Sequence, residues 1–444
     1  MKPKDALLER WEAILAQKGD APAIFNTRGE VVRTFVQVEE HARRIEAKMP
    51  ATKPHNVSAI QIGNHQDWLS HFLACLRRRR VVLPIDESIS KQQADAAVST
   101  AAKSGITDWG DKPPTLFKLT SGTTSAPRMI RFRSEQILAD CDQICDTMEI
   151  SDVDLNFGVI PISHSYGFSN LLTPLIARGV SLVLSQDRTP RAVLEDLGKT
   201  NATVFPGTPV FYQAFCEMEN VPPLPKLRLC ISAGAPLPVA TAKKFREKFE
   251  LPIHSFYGAL ECGGICYDRE AKNEVEGFVG APMKDVDLEM VDPNAEQSRV
   301  EVRSAAAGDG YFPDADEEKL SNGVFIPDDL LSRDGSGFKI VGRVSDVINV
   351  AGKKVNPAEI EERLLRFPGV RQAVAFGRES ALRNEEVAAC VAADASLNEN
   401  ELLEFCRSGL SAWQVPKRIF IVDSIPASER GKISRREVAK RFSA

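Results

Sequence analysis

Residues 116–128 read Leu-Phe-Lys-Leu-Thr-Ser-Gly-Thr-Thr-Ser-Ala-Pro-Arg, a short apolar strand running into a loop of hydroxyls and glycine. Thr120, Ser121, Thr123 and Thr124 offer four hydroxyls, and Gly122 lets backbone N–H groups come close to an anion. This is the composition of a phosphate cradle. The Walker A spacing G-x-x-x-x-G-K-[ST] is absent, which disfavours an ordinary P-loop nucleotide hydrolase. A Ser/Thr/Gly loop standing alone is more often a plain turn, so its surroundings decide the reading.

Outward from this stretch, short β-branched runs recur at Val57–Ile62, Val81–Ile85, Phe157–Ile162, Ser181–Leu184, Thr203–Phe205, Leu227–Ile231 and Ile253–Phe256. Helical periodicity appears in Glu9–Leu15, Phe35–Ala47, Arg191–Lys199 and Val239–Phe249. The alternation predicts layered α/β sheets with largely parallel strands. Past Val286 the texture turns to strand-like pairs broken by Gly, Asp and Pro, as in a β-rich subdomain. From Val347 a small α+β lid is expected, opening on VINVAGKKV and the amphipathic helix Pro357–Phe367. The expected division is a large domain over 1–343, a hinge at 344–346 and a C-terminal domain over 347–444. Asp86 to Leu116 reads as a brief connection rich in Ala, Ser and Lys.

Length and composition agree with this layout. A chain of 444 residues exceeds the usual size of one hydrophobic core. With 43% hydrophobic and 26% charged residues it falls outside the disordered, collagen-like and membrane classes. A net charge of -5 argues against a whole-protein field for nucleic acid or an anionic membrane. Nine cysteines without a C-x-x-C pair fit reduced thiols, although Cys141/Cys145 and Cys262/Cys266 have the spacing of a helix face. The N-terminus carries charges throughout, and no window approaches a membrane span, so a cytoplasmic protein is expected.

Six strings in order then resemble one family. The loop at Lys118–Arg128, Ser232-Ala-Gly-Ala-Pro-Leu, Tyr257-Gly-Ala-Leu-Glu261, Pro327-Asp-Asp-Leu330, Gly342-Arg-Val-Ser-Asp346 and Arg430-Gly-Lys432 resemble the adenylate-forming superfamily of acyl-CoA synthetases, peptide-synthetase adenylation domains and luciferases. The resemblance runs from about residue 20 to the C-terminus. It implies that a carboxylic acid is joined to the α-phosphate of ATP and then passed from AMP to a thiol. By that resemblance Thr120–Thr124 and Arg128 hold phosphates, and Glu261 coordinates Mg²⁺ as a hard oxygen ligand. Tyr257 and Gly258, with the backbone of Ala233, Gly234 and Ala235, border the adenine. Asp329 accepts from the ribose hydroxyls, Arg343 holds the ribose or phosphate side, and Lys432 is the adenylating lysine. His164, in Pro161-Ile-Ser-His-Ser-Tyr-Gly-Phe168, guards the acid pocket or gates the thiol tunnel. The implied C-terminal domain rotates at Ser345, withdrawing Lys432 and presenting the Gly352 loop.

Departures from the family pattern are local. Leu260 stands where a threonine hydroxyl is usual, Ser125 and Arg128 replace a Gly and a Lys, and Ser345 replaces Asp or Lys at the hinge. Arg77–Arg80 takes the place of a small Gly-containing turn and reads as a solvated helix end. The segment around His164 lacks the Asp that amino-acid-activating relatives carry, which directs the expectation to an acid without an α-amino group, with a fatty or aromatic acid preferred. Phe168, Phe211, Tyr212 and Gly263–Gly264 are candidate pocket walls. The stretch from Trp413 onward holds eight basic and three acidic residues, a face suited to an anionic acceptor. That acceptor is coenzyme A or the phosphopantetheine arm of an acyl carrier protein. The different-class alternative is a degenerate nucleotide-binding protein without activity. A monomer or homodimer is expected.

Overall fold

The computed structural model describes residues 5–120, 128–350, 353–380, 384–393, 397–425 and 434–442. The chain divides into two compact units, one of residues 1–289 and 301–327, the other of 290–300 and 328–444. This division by packing places Asp329 and Arg343 in the second unit, upstream of the expected hinge at 344–346.

The first unit is built on two large sheets, beside a smaller four-stranded one drawn from Val286–Met290, Val300–Ser304, Leu320–Ser321 and Val324–Phe325. In the larger, Ile253–Ala259, Leu229–Ser232, Val204–Gly207, Leu155–Gly158, Ser181–Leu184 and Pro22–Phe25 are successive parallel neighbours. Antiparallel strands flank them: Gly263–Tyr267 and then Phe278–Pro282 on one side, Val31–Thr34 on the other. In the other large sheet Val57–Ile60, Val81–Pro84 and Leu116–Leu119 run parallel, with Met129–Phe132 and Tyr311–Phe312 added antiparallel. The central parallel strands are buried along their whole length, as strands covered on both faces must be.

Two sequence expectations shift here. The strand expected at Phe157–Ile162 is Leu155–Gly158, because the chain turns after Gly158 and the Ile162 N–H goes to Asn64 Oδ1 at 2.9 Å instead of to a ladder. The supposed brief connection after Asp86 contains the helix Lys91–Ala102, started by a Ser90/Gln93 capping box. Ala94, Ala97 and Ala101, spaced three and four apart, face the core formed by Val81, Leu83, Phe117 and Met129. Small alanines gave this helix a weak hydrophobic pattern in the sequence.

In the second unit Asp329–Asp334 and Gly337–Arg343 form an antiparallel hairpin. Beyond it, Val370–Ser380 and Asn384–Ala393 pair antiparallel, Ile348–Val350 pairs with Lys353–Val355, and Arg418–Val422 adds parallel to Asn384–Ala393. Strand alternation sends Ala375, Val387 and Val391 to a core with the helices Pro357–Leu365 and Glu399–Arg407. Val374, Phe376 and Cys390 face the opposite way, onto Val438 of the helix Arg435–Phe442. All nine cysteines are free and buried, and Cys266 lies on a strand, so Cys262 and Cys266 do not share a helix face.

Candidate active site

Ligand crevices in open parallel sheets lie outside the carboxyl ends of the strands. In the first unit the segments after Leu155–Gly158, Val204–Gly207, Leu229–Ser232 and Ile253–Ala259 carry His164, Thr208, Ala233–Ala235 and Leu260–Glu261. Tyr166 ties this edge together, its phenol donating to the carbonyls of Gly207 at 3.3 Å and Ile231 at 3.4 Å. Burial pushes that phenol far above its ordinary range, so it stays a protonated donor.

The phosphate-loop strands close on each other. Leu119 faces Met129, and both the N–H and the hydroxyl of Thr120 donate to the Arg128 carbonyl, at 3.0 and 3.2 Å. Ser121, Gly122, Thr123, Thr124 and Ser125 lie outside the described residues. The Arg128 guanidinium stacks 4.2 Å from the Tyr311 ring centre, donates to the Asp314 carbonyl at 3.2 Å and stands 3.9 Å from Asp316. Tyr311 in turn donates its phenol to Glu261 Oε1 at 3.0 Å. Burial and the Glu261 charge both raise the Tyr311 phenol, which holds it as the donor of that bond. The line Arg128, Tyr311, Glu261 thus joins the end of the expected phosphate loop to the expected metal ligand.

Glu261 is fixed through its backbone as well, its carbonyl accepting from Gly308 N at 2.8 Å. The neighbouring Ala307 and Asp309 line a cavity of about 740 Å³ with Trp109, Arg131 and Gln136, none of which the sequence reading assigned. Arg131 donates to the Asp309 carbonyl and Gln136 to the Ala307 carbonyl, both at 2.7 Å, and this brace steadies the turn that holds Glu261.

On the expected adenine side, Ala233 is buried and its N–H bonds to the Gly207 carbonyl at 3.3 Å. Gly234 has a φ of +87°, and an added Cβ would meet nothing within 4 Å, so glycine is needed for conformation while its surface is open. Ala235 is half-buried and Gly258 exposed, whereas Tyr257 is buried, with its Cα opposite Cys266. The Ser232 hydroxyl is buried and lacks a partner among the described residues.

His164 caps the turn Ser165–Gly167, its Nδ1 accepting the Tyr166 N–H at 3.3 Å. The neutral ring therefore carries its proton on Nε2, the form that donates to a carboxylate oxygen. Gly167 is required by crowding, because a Cβ there would stand 2.1 Å from the Pro161 carbonyl oxygen. Below this turn lies Lys118, buried, with Nζ 3.3 Å from Ser165 Oγ. Of the expected pocket walls, Phe168 packs edge-on against Trp68 and Phe72 in the core. Tyr212 is fully buried with its phenol on the Phe205 and Ile231 carbonyls.

In the second unit the hairpin register sets Asp329 opposite Arg343, and Arg343 Nε donates to Asp329 Oδ1 at 2.7 Å. Ser345 falls in a 3₁₀ turn, Val344–Asp346. Lys432 and Gly352 lie outside the described residues. Three residues past Lys432, Arg435 bonds Asp346 of that turn, Glu361 Oε1 at 2.5 Å and the Ala375 carbonyl at 2.7 Å. Burial raises the Glu361 carboxyl even against the opposing Arg435 charge.

Sequence reasoning missed Tyr311 and Lys118. Tyr311 is one of five tyrosines and follows a glycine, a weak signal. Lys118 had a better one, as the single charge in an otherwise apolar strand, Leu116–Leu119.

Family models match in two segments: the AMP-binding enzyme over residues 111–309 and the AMP-binding enzyme C-terminal domain over 359–432. The oxalate–CoA ligase of Arabidopsis thaliana is 30% identical over 346 residues, 74% of this chain and 67% of that protein. The chain belongs to the adenylate-forming superfamily of AMP-binding enzymes. Within that superfamily it is also similar to the probable CoA ligase CCL9 of Humulus lupulus, 28% identical over 430 residues, 93% of this chain and 81% of the relative. Feruloyl-CoA synthase of an Amycolatopsis species is 25% identical over 466 residues, 93% and 95% of the two chains. The fold is that of ATP-bound MatB from Rhodopseudomonas palustris, with a TM-score of 0.86 at 22% identity over 98% of each chain. Among the described residues no helix is long and apolar enough to cross a membrane.

Proposed function

We propose that this protein is an ATP-dependent, AMP-forming acid–thiol ligase. A carboxylate oxygen attacks the α-phosphorus of ATP and pyrophosphate leaves. The thiol sulfur of coenzyme A then attacks the acyl carbon of the acyl adenylate, the thiol proton is lost and AMP departs. The naming of relatives as CoA ligases supports this reading, and the observation that carries it is the Arg128–Tyr311–Glu261 line at the mouth of the phosphate loop. Both steps bring anions together, so positioned cations and donors are the main requirement.

Each residue then has a part. Arg128 is placed to clamp a phosphate oxygen, His164 to donate to the acid's carboxylate, and Tyr257 with Ala233–Ala235 to border the adenine. Asp329 and Arg343 serve the ribose side, and Lys432 the attacking oxygen and the phosphate bridge. Glu261 supplies one hard carboxylate rather than a cage, which suits Mg²⁺ held largely by phosphates and water. When bound, Mg²⁺ neutralises phosphate charge. The hinge is assigned to 344–346.

We place the enzyme in the cytoplasm and take fatty or aromatic acids as the working substrate class, in fatty acid or related acid metabolism. A carrier-protein arm is the second acceptor reading, favoured by the basic helix Arg435–Phe442. Acid-dependent ATP–pyrophosphate exchange, followed by trapping the adenylate with coenzyme A or a loaded carrier, tests the assignment. No exchange over aryl, short-, medium- and long-chain acids would favour the degenerate nucleotide-binding reading.

A further inference from the structure

Lys118 is buried, exposing 7% of its surface; the Arg77 side chain is as well covered, but it is paired with Glu39 at 2.6 Å. The Lys118 ammonium reaches the Ser165 hydroxyl at 3.3 Å and lies 4.8 and 5.4 Å from the ring centres of Phe132 and Phe168. No described carboxylate stands within 4.0 Å of it. The opposing charge that acts on it most strongly, Asp140, is already engaged, accepting from Ser169 Oγ at 2.5 Å and Gly264 N at 3.0 Å. One hydroxyl and two ring faces do not replace the water that an ammonium gives up on burial. The cost of desolvation shows as a lowered Lys118 pKa, which Asp140, Cys262 and Glu261 offset only in part.

The position of this charge limits what it meets. Ser165 follows His164 directly, on the turn that Tyr166 anchors across the carboxyl edge of the parallel strands. We propose that Lys118 is the specificity-determining residue of the acid pocket and receives the second carboxylate of a dicarboxylic acid, aliphatic or aryl. This rests on the ligase reading above and narrows it. Because Lys118 and His164 flank adjacent positions of one turn, the two carboxylates recognised belong to a compact acid and not to the ends of a long chain. The rings of Phe132 and Phe168 beside the ammonium raise the strength of the ion pair by excluding water.

The test uses the full-length protein and matched acid pairs, butyrate against succinate and benzoate against phthalate. Pyrophosphate release and calorimetric binding are measured for wild type, Lys118→Met, Lys118→Arg, Asp140→Asn and the double variant Lys118→Met/Asp140→Asn. The expected result is a wild-type preference for the dicarboxylate. Lys118→Met should lower that ratio roughly ten- to hundredfold, the loss of a charge-assisted hydrogen bond, with Lys118→Arg retaining part of it. Loss of dicarboxylate binding in Lys118→Met without turnover on any acid would support the inference while sinking the ligase reading. Turnover of monocarboxylates at or above the dicarboxylate rate would overturn the inference and leave the ligase standing. Equal losses on all acids with a lowered Tm, restored in the double variant, would instead make Lys118 a structural partner of Asp140.

Discussion

The two halves of the site in the first unit solve opposite problems. On the nucleotide side, Arg128, Tyr311 and Glu261 are chained by a ring stack and a 3.0 Å hydrogen bond, with backbone carbonyls and Asp316 completing the set. On the acid side, Lys118 is held by a hydroxyl and two phenyl rings beneath a turn capped by His164. The first half links its groups to one another before any ligand arrives, although Arg128 Nε is buried without a partner among the described residues, and the second keeps a positive charge under-compensated. On the proposed reading, the groups that serve every substrate are linked in advance, while the choice of acid falls to Lys118.

If that contrast holds, changes on the nucleotide side should act alike on all acids. Glu261→Gln keeps the Tyr311 bond but removes the hard ligand charge, and should lower acid-dependent pyrophosphate exchange by roughly a hundredfold or more. Exchange within threefold of wild type would break the assignment. Tyr311→Phe removes the phenol that donates to Glu261 Oε1 while keeping the ring beside Arg128. A lost hydrogen bond to a charged group, about 1.5–3 kcal/mol, predicts a loss of roughly ten- to hundredfold that is the same for every acid. An acid-dependent loss would mean that Tyr311 belongs to the other half.

On the acid side the readout should move from rate to recognition. His164→Gln retains a side-chain amide near the turn but not the imidazole geometry. It should raise KM for the acid by roughly tenfold while leaving KM for ATP within about twofold. An equal rise in both constants would show the turn itself collapsing and not a lost donor.

Legibility in the sequence follows the same divide. The parallel strands were readable because burial on both faces makes them continuous apolar runs, as in Val81–Pro84. Lys91–Ala102 was not, because alanines carry almost no periodic contrast. The expected roles of Glu261 and Arg128 rest on fixed local strings, whereas the Tyr311 bond to Glu261 spans 50 residues of chain. Such contacts depend on the register of Tyr311–Phe312 against Met129–Phe132, which no local pattern encodes. Tyr212 shows the converse, since an aromatic expected as a pocket wall is fully buried with its phenol on the Phe205 and Ile231 carbonyls.

The smallest expected effect comes from a pair outside both halves. Asp154, buried at the start of Leu155–Gly158, accepts from Arg228 at 2.8 and 2.6 Å and from Thr203 Oγ1 at 2.8 Å. Burial raises its carboxyl, but Arg228, the Ser151 N–H and Thr203 together outweigh it and hold the carboxyl below its ordinary value. A lowered carboxyl contributes stability that is fully present above its unfolded value and is lost as pH falls through the folded one. Asp154→Asn should therefore cost about 1.5–3 kcal/mol at pH 7. The Tm gap to wild type should narrow steadily as the solution is acidified below the ordinary Asp range. A gap that is constant with pH would show the loss to be packing alone. Because the pair touches neither half, the ratio of rates between any two acids should stay unchanged, and a shifted ratio would mean that the strand it anchors helps set the acid pocket.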